Sequence, residues 1–584
     1  MEKRIKTNCL RYLIPFSVNE SFESACNKIN DFQGNITPRY VIDEKERVYS
    51  WKQIASESNE TGKQKESDLY EYIRNEFSMS GTVDDENKMG CTWKLTCKNW
   101  KDQGKQEIPY EFYWFMTSFK KDDQKLPAYH QFSFSEIGLY LFRNGLGILW
   151  YEVKLNGKLQ ADELISFQNI FREVNRNSRV WVKTGKSSLV YMKYSTYKGA
   201  SDKDSDTFAK YLTPFCVGNW ISELLSKFLN VSYISPRTNS FVKNMKDQLK
   251  RTCGFGEITS DYEEFLSHET VSDMVPDKAI LFTYIAFEPQ MYGNECMISD
   301  EKRDLVYHLT NGYKESYHYS PETGNRMVQP FADALWYATK EGASYVIWPS
   351  TSSEADRKDG NAEFFVGNFI DKIKGDYFHL FVRALYQSYS LLIYAEQTQK
   401  CLSAIKSIYM ENEKNDSEQI RRQKEKNKKK LENLYIDINL FLTKNMATSV
   451  SHIHHQSDFY IYLTDCLHVQ EDIKSVTAGL SALDSLQRDQ KEKEEHRREK
   501  EADEKEARRD NRFQAIMSML SVLAVISVFA DLRDILNPTK DCVQIAASLV
   551  GTDVLYLIGC IFSLIIGVIA LYLSVKYFIK SFKE

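Results

Sequence analysis

Two long apolar runs stand out near the C-terminal end of this 584-residue chain. No charge interrupts Phe513 to Ala530, and none interrupts Val554 to Val575. An α-helix needs about 20 apolar residues to cross bilayer hydrocarbon. The pattern therefore predicts two membrane-spanning helices, 513–532 and 554–577, in a hairpin covering 513–579. A third apolar run, Tyr377 to Ala395, carries Arg383, Gln387 and several tyrosines. A mid-membrane arginine is costly, so this run reads as a buried helix of a cytosolic body.

Upstream the periodicity is mixed. Phe132–Phe142 alternates, Asn144-Gly145 follows, and Ile148–Leu155 alternates again, which predicts a β-hairpin with a tight turn. Further strands are expected at Ser188–Tyr194, Ala279–Phe287 and Ser344–Trp348, with helices near Trp220–Asn230 and Phe331–Thr339. Ser56–Gln64 and Lys120–Lys125 read as polar loops. Residues 1–375 are thus expected to form a cytosolic α/β domain.

From Asp376 glycine and proline nearly vanish and the period becomes helical, so 376–512 reads as a long α-helical stalk. One helix is expected from Asp376 past Ile408 into the charged stretch Glu411–Lys430, another over Leu431–Lys444, and a third from near Glu471. The third opens with a seam of Ile473, Val476, Leu480 and Leu483. Its continuation, Gln487–Arg512, is almost wholly charged, with Glu494/Arg498, Glu501/Lys505 and Glu504/Arg508 spaced to pair along a helix. No Gly or Pro lies between Leu483 and Phe513, so the stalk is expected to enter the first span without a break.

The flanks set orientation. Arg508, Arg509 and Arg512 precede the first span, and Lys576, Lys580 and Lys583 follow the second; the loop between offers Arg533 and Lys540. The positive-inside rule then puts both termini in the cytoplasm of a multi-pass inner-membrane protein. Met1–Glu20 lacks the apolar core of a signal peptide. The loop side also carries Asp531, Asp534, Asp541 and Asp553. Repeated around an oligomer, these would gather cations at a pore mouth, although exposed loops are commonly polar for no such reason.

One hairpin leaves no lumen, so conduction requires a homo-oligomer. Asn511, Gln514, Ser518 and Ser521 share a helical face that continues through Val525, Val528 and Leu532. A polar stripe ending in an apolar collar suits a wet vestibule with a dewetting gate; the same hydroxyls and amides also suit interhelical hydrogen bonds. On the second span Gly559, Ser563 and Gly567 form a small-residue face for close packing.

Composition adds limits. A formal net charge of −5 offers no basic field for nucleic acid. Eleven cysteines without a CxxC pair read as reduced core thiols. The string Lys183-Thr184-Gly185-Lys186-Ser187-Ser188 misses the phosphate-loop pattern, because Val180 stands where its first glycine belongs. Lys186 and Ser187 remain candidates to hold one phosphate. Ser350 and Thr351, after an expected strand, are a second ligand candidate, with Trp336, Tyr337 and Trp348 as rings for an adenine or simply as core. His452, His454 and His455 lack metal-ligand spacing and read as an exposed helix connection; no metal site is expected. Nothing supports an enzyme or a cofactor.

This layout resembles the CorA superfamily of divalent-cation transporters, over Asp376–Glu584 well and over the N-terminal part loosely. The resemblance implies a pentameric funnel with the first span lining the pore. The family's Gly-Met-Asn filter after that span is missing; here the stretch reads Asp531-Leu532-Arg533-Asp534-Ile535-Leu536-Asn537. That absence and the large body are similar to the CorA-like membrane effectors of type III CRISPR systems. They imply an antiviral channel opened by a nucleotide messenger of the adenylated S-adenosylmethionine (SAM-AMP) type. A transporter with a degenerate filter and a non-conducting anchored sensor are the rival expectations.

Overall fold

The computed structural model describes residues 4–34, 48–54, 67–77, 88–98, 112–115, 129–156, 160–172, 174, 180–183, 212–215, 217–233, 278–291, 298–313, 317–322, 326–351, 364–411, 418–445, 449–535 and isolated positions between 561 and 576. The chain divides into two units, 1–479 and 480–584.

Sixteen strands are described: β1 (Ile5–Val18), β2 (Gln33–Gly34), β3 (Val48–Gln53), β4 (Gly90–Lys98), β5 (Phe112–Phe115), β6 (Tyr129–Phe142), β7 (Leu146–Asn156), β8 (Val180–Lys183), β9 (Leu212–Pro214), β10 (Val231–Tyr233), β11 (Ile280–Phe287), β12 (Gln290–Met291), β13 (Val328–Phe331), β14 (Ala334–Thr339), β15 (Gly342–Ile347) and β16 (Ser350–Thr351). Fourteen of them form one sheet whose main run is β13-β14-β15-β11-β1-β7-β6-β4-β3-β2. Within that sheet β11 and β15 pair in parallel, whereas β1 is antiparallel to both β7 and β11. The unit is mixed α and β, but its sheet is chiefly antiparallel.

The β6–β7 hairpin turns through Arg143-Asn144-Gly145, with Gly145 at φ 83°, a conformation that glycine adopts without a Cβ clash. Phe132 and Phe134 face the same side as Ile137, Leu139 and Leu141, although strict alternation would turn the two groups apart. A bulge between Phe134 and Glu136 resets the parity.

One sheet face carries Tyr12, Ile14, Phe134, Tyr151, Ile285 and Leu335 into the main core. Against it lie α1 (Phe22–Asp31), α2 (Ala161–Arg172), α3 (Val217–Ser226) and α4 (Asp300–Asn311). The opposite face receives two π-helical turns, Phe364–Asn368 and Ile373–Tyr377, and the helix α5 (Phe378–Glu411) that follows them. Trp150 and Phe282 meet Phe378 there, at 5.2 and 5.3 Å between ring centres. Helical structure therefore begins before Asp376, at Phe364.

Beyond α5 come α6 (Glu418–Asn445), α7 (His454–Cys466) and α8 (Val469–Ile535). The charged residues from Glu418 to Lys430 are helical, so α6 starts earlier than its apolar pattern indicates. α7 occupies the stretch read as a connection. Tyr386 and Tyr394 of α5 hold Phe441 of α6 at 5.6 and 5.3 Å. In the seam, Val476 and Leu480 are buried, and Gly479 lies 3.5 Å by its would-be Cβ from Thr398 of α5.

Phe331–Thr339, expected to be helical, is instead the end of β13, a tight turn at Ala332-Asp333 and β14. Ala334 to Ala338 are all buried, because both faces of this strand are covered. A run apolar at every position carries neither a helical nor a strand period, so tertiary packing decides. Ser188–Tyr194, Ser56–Gln64 and Lys120–Lys125 lie outside the described residues. The six described cysteines are free thiols.

Candidate functional site

α8 runs 67 residues without a break. Among the described residues, its stretch Glu495–Val528 is long and apolar enough to cross a bilayer, and the apolar part has no protein cover. Phe513, Ile516, Met519, Leu520, Leu523 and Ile526 are all more than half exposed. Exposed apolar surface on this scale marks an interaction face, of the kind that lipid or other protein covers.

On this continuous helix Asn511, Gln514, Ser518, Ser521, Val525, Val528 and Leu532 fall within an arc of about 100°. Asn511, Gln514, Ser521 and Val528 are exposed and Ser518 is half-buried. Ser521 Oγ donates to the Met517 carbonyl at 2.9 Å, so its hydrogen is used within the helix while its lone pairs stay open. Asp531 and Asp534 belong to the last turns of α8; Asp541 and Asp553 lie outside the described residues. In the second apolar run Phe562, Val568, Tyr572 and Leu573 are exposed, and a Cβ on Gly567 would meet nothing within 4 Å.

The charged part of α8 is solvated. It pairs Asp484 with Arg488 at 2.8 Å and Glu501 with Arg497 at 3.6 Å, rather than Glu501 with Lys505 or Glu504 with Arg508. Exposed pairs of this kind contribute only ~0.3–0.5 kcal/mol each, so their exchange costs little.

The candidate ligand residues do not assemble. Lys186 and Ser187 lie outside the described residues. Ser350 and Thr351 form β16, paired in parallel with β12, and the Ser350 amide donates to Asp333 Oδ2 at 3.3 Å. Trp336 meets Phe459 of α7 at 5.1 Å, whereas Trp348 stacks on Phe287 at 5.5 Å, with Lys302 Nζ 5.0 Å from the Trp348 ring. Both indoles are buried, on opposite faces of the sheet, so they cannot clasp one ring between them. The rule that ligands sit beyond strand C-termini belongs to parallel sheets and loses its force here. The histidines disperse: His452 packs edge-on to Tyr70, His454 pairs with Asp458 on the surface, and His455 Nδ1 is hydrogen-bonded with Tyr377 Oη at 2.7 Å.

Three features have no counterpart in the sequence reading. Under α5, Arg11 is clamped between Trp150 and Phe378, 4.6 and 4.2 Å from the ring centres. It donates to Glu152 at 2.9 Å and to the Lys374 carbonyl at 2.9 Å, and Lys374 Nζ also reaches Glu152. Burial by itself would raise the Glu152 carboxyl, but Arg11 and Lys374 outweigh it and hold the pKa below the ordinary value. Burial, then the Glu152 charge, pushes the neighbouring Cys9 thiol up to about 12. Second, Arg383 is fully buried and bound to Glu76, with Tyr460 Oη accepting from its Nε at 3.0 Å. Their members are far apart in sequence, and no local pattern links them. Third, a cleft of about 790 Å³ opens between α4 and the edge strand β13.

No family model, curated protein or solved structure matches this chain.

Proposed function

We propose that this chain is a subunit of a homo-oligomeric membrane channel, opened when a small ligand binds its cytosolic body. The observation that carries this reading is the uninterrupted α8. One helix begins two residues after the α7–α8 turn starts and runs through an apolar segment with no protein cover. The stretch 513–532 of α8 would line the pore, with 554–577 packed outside it. A ligand that prefers one of two subunit arrangements would shift their populations, and α8 would carry the change to the collar at Val525 and Val528. By resemblance to CorA-like effectors, the ligand is a nucleotide messenger of the SAM-AMP type and the outcome is antiviral ion leakage across the inner membrane, without catalysis.

Liposomes loaded with a fluorescent ion reporter test the proposal. Flux that requires SAM-AMP and does not favour magnesium is the expected result. Magnesium-selective flux without ligand would instead support the transporter reading. No flux under either condition would leave an anchored sensor, the reading that the self-bonded hydroxyl of Ser521 favours.

A further inference from the structure

The cleft beside β13 has the size of a small-molecule site, within the range of about 300–1,000 Å³. Its walls include Asp300, Arg303, Asp304, His318, Tyr319 and Arg326. Asp304 is already engaged, accepting from the Tyr319 amide at 2.7 Å and bound to His318 Nδ1 at 2.8 Å. Burial would raise its carboxyl, yet these partners keep it below the ordinary value. The α4 terminus is not the attraction, because Ser299 caps it and Asp300 and Glu301 already complement its dipole. Two arginines remain. Arg303 is half-buried, Arg326 is exposed, and neither makes an ion pair among the described residues. A guanidinium is a fork of donors suited to phosphate, and two of them lining one cleft with no acid bound to either make a phosphate subsite. The rest of the volume has room for a nucleoside, with Asp300 placed to accept from hydroxyls and the largely exposed His318 ring to stack.

We infer that this cleft binds a small phosphate-bearing ligand of nucleotide size, with Arg303 and Arg326 holding the phosphate. The site also has an outlet. β13 and β14 form the hairpin at the cleft's edge, and their far side packs on α7. Phe331 lies 5.8 Å from His455, Trp336 lies 5.1 Å from Phe459, and the Ala338 amide donates to Tyr462 Oη at 3.0 Å. α7 ends at Cys466, and α8 begins at Val469. A ligand drawing β13 toward α4 would therefore load the helix that leads into the stalk. This consequence rests on the channel reading; the binding does not.

The test uses the full chain in detergent, titrated calorimetrically with ADP, pyrophosphate and inorganic phosphate. Saturable ADP binding is expected, with weaker binding of the two inorganic anions. Arg303→Gln and Arg326→Gln should each weaken it about ten- to hundredfold, the range of a charge-assisted hydrogen bond. Arg303→Lys, which keeps the charge and loses the fork, should fall between. Thermal unfolding without ligand checks that each variant is folded; the exposed Arg326 keeps the test open if Arg303→Gln is not. No binding of any probe at about 1 mM, or ADP binding indifferent to Arg326→Gln, overturns the assignment. Ligand-gated flux from a chain whose cleft binds nothing would sink the cleft and leave the channel. ADP binding in a chain that never conducts would do the reverse.

Discussion

Arg383 shows how much one buried side chain can decide. In a stretch that is otherwise apolar enough to suggest a membrane span, its charge has to be met inside the protein, and Glu76, 307 positions away, meets it. Breaking such a pair strands one ion, at a cost of about 3–5 kcal/mol. Arg383→Met should lower stability by that order, and Glu76→Gln combined with it should recover part of the loss, as read by denaturant unfolding in detergent. Glu152 makes a pH prediction. Its folded pKa lies below the ordinary 4.5, so its contribution is present above that value and is lost as pH falls through the lowered one. Acid unfolding curves of Glu152→Gln should lack that component while starting from a less stable protein. His468, at φ 58°, is the non-glycine residue with a left-handed backbone among those described, and it makes the turn between α7 and α8. A β-branched residue there meets the full left-handed penalty, so His468→Val should cost about 1–2 kcal/mol, whereas His468→Gly should cost nothing measurable. Melting temperatures of the two variants decide it.

Among the elements, α8 was the easiest to read and β14 the hardest, for one reason. A helix that faces water must show its period, and α8 shows one in its seam and an unbroken run of helix formers beyond it. β14 is covered on both faces, so every position is apolar and the period disappears. The same principle gives α8 its test. If the arc containing Ser518 and Ser521 lines water, replacing both with leucine extends the apolar collar and should cut single-channel conductance about tenfold or more. If those serines only pack against a neighbouring helix, conductance stays and the thermal midpoint alone moves. Three glycines substituted within Gln487–Arg512 should soften the stalk, leave ligand binding intact and abolish the response of the flux to ligand.

For the whole molecule, the surface of the last hundred residues is the deciding fact. Its described apolar side chains are exposed in a single chain, a surface that the proposed channel would cover with lipid and with partner subunits. Light scattering in mild detergent should give a protein mass that is an integer multiple of the chain's, and membrane fractionation should leave none of it in the soluble phase. A monomer of defined mass would remove the pore, since two helices enclose no lumen.

What composition and pattern alone determined were the features set by solvent: where long apolar runs lie, where charge must be solvated, where a hairpin turns at Asn144-Gly145, and where glycine and proline give way to long helices. These are local, because each residue answers to the medium beside it. The tertiary structure decided the rest. It put Trp336 and Trp348 on opposite faces of one sheet, joined Arg11 to Glu152 and Lys374, and set Arg303 and Arg326 into one cleft. These placements relate positions from a dozen to hundreds of residues apart, and only the folded chain sets them.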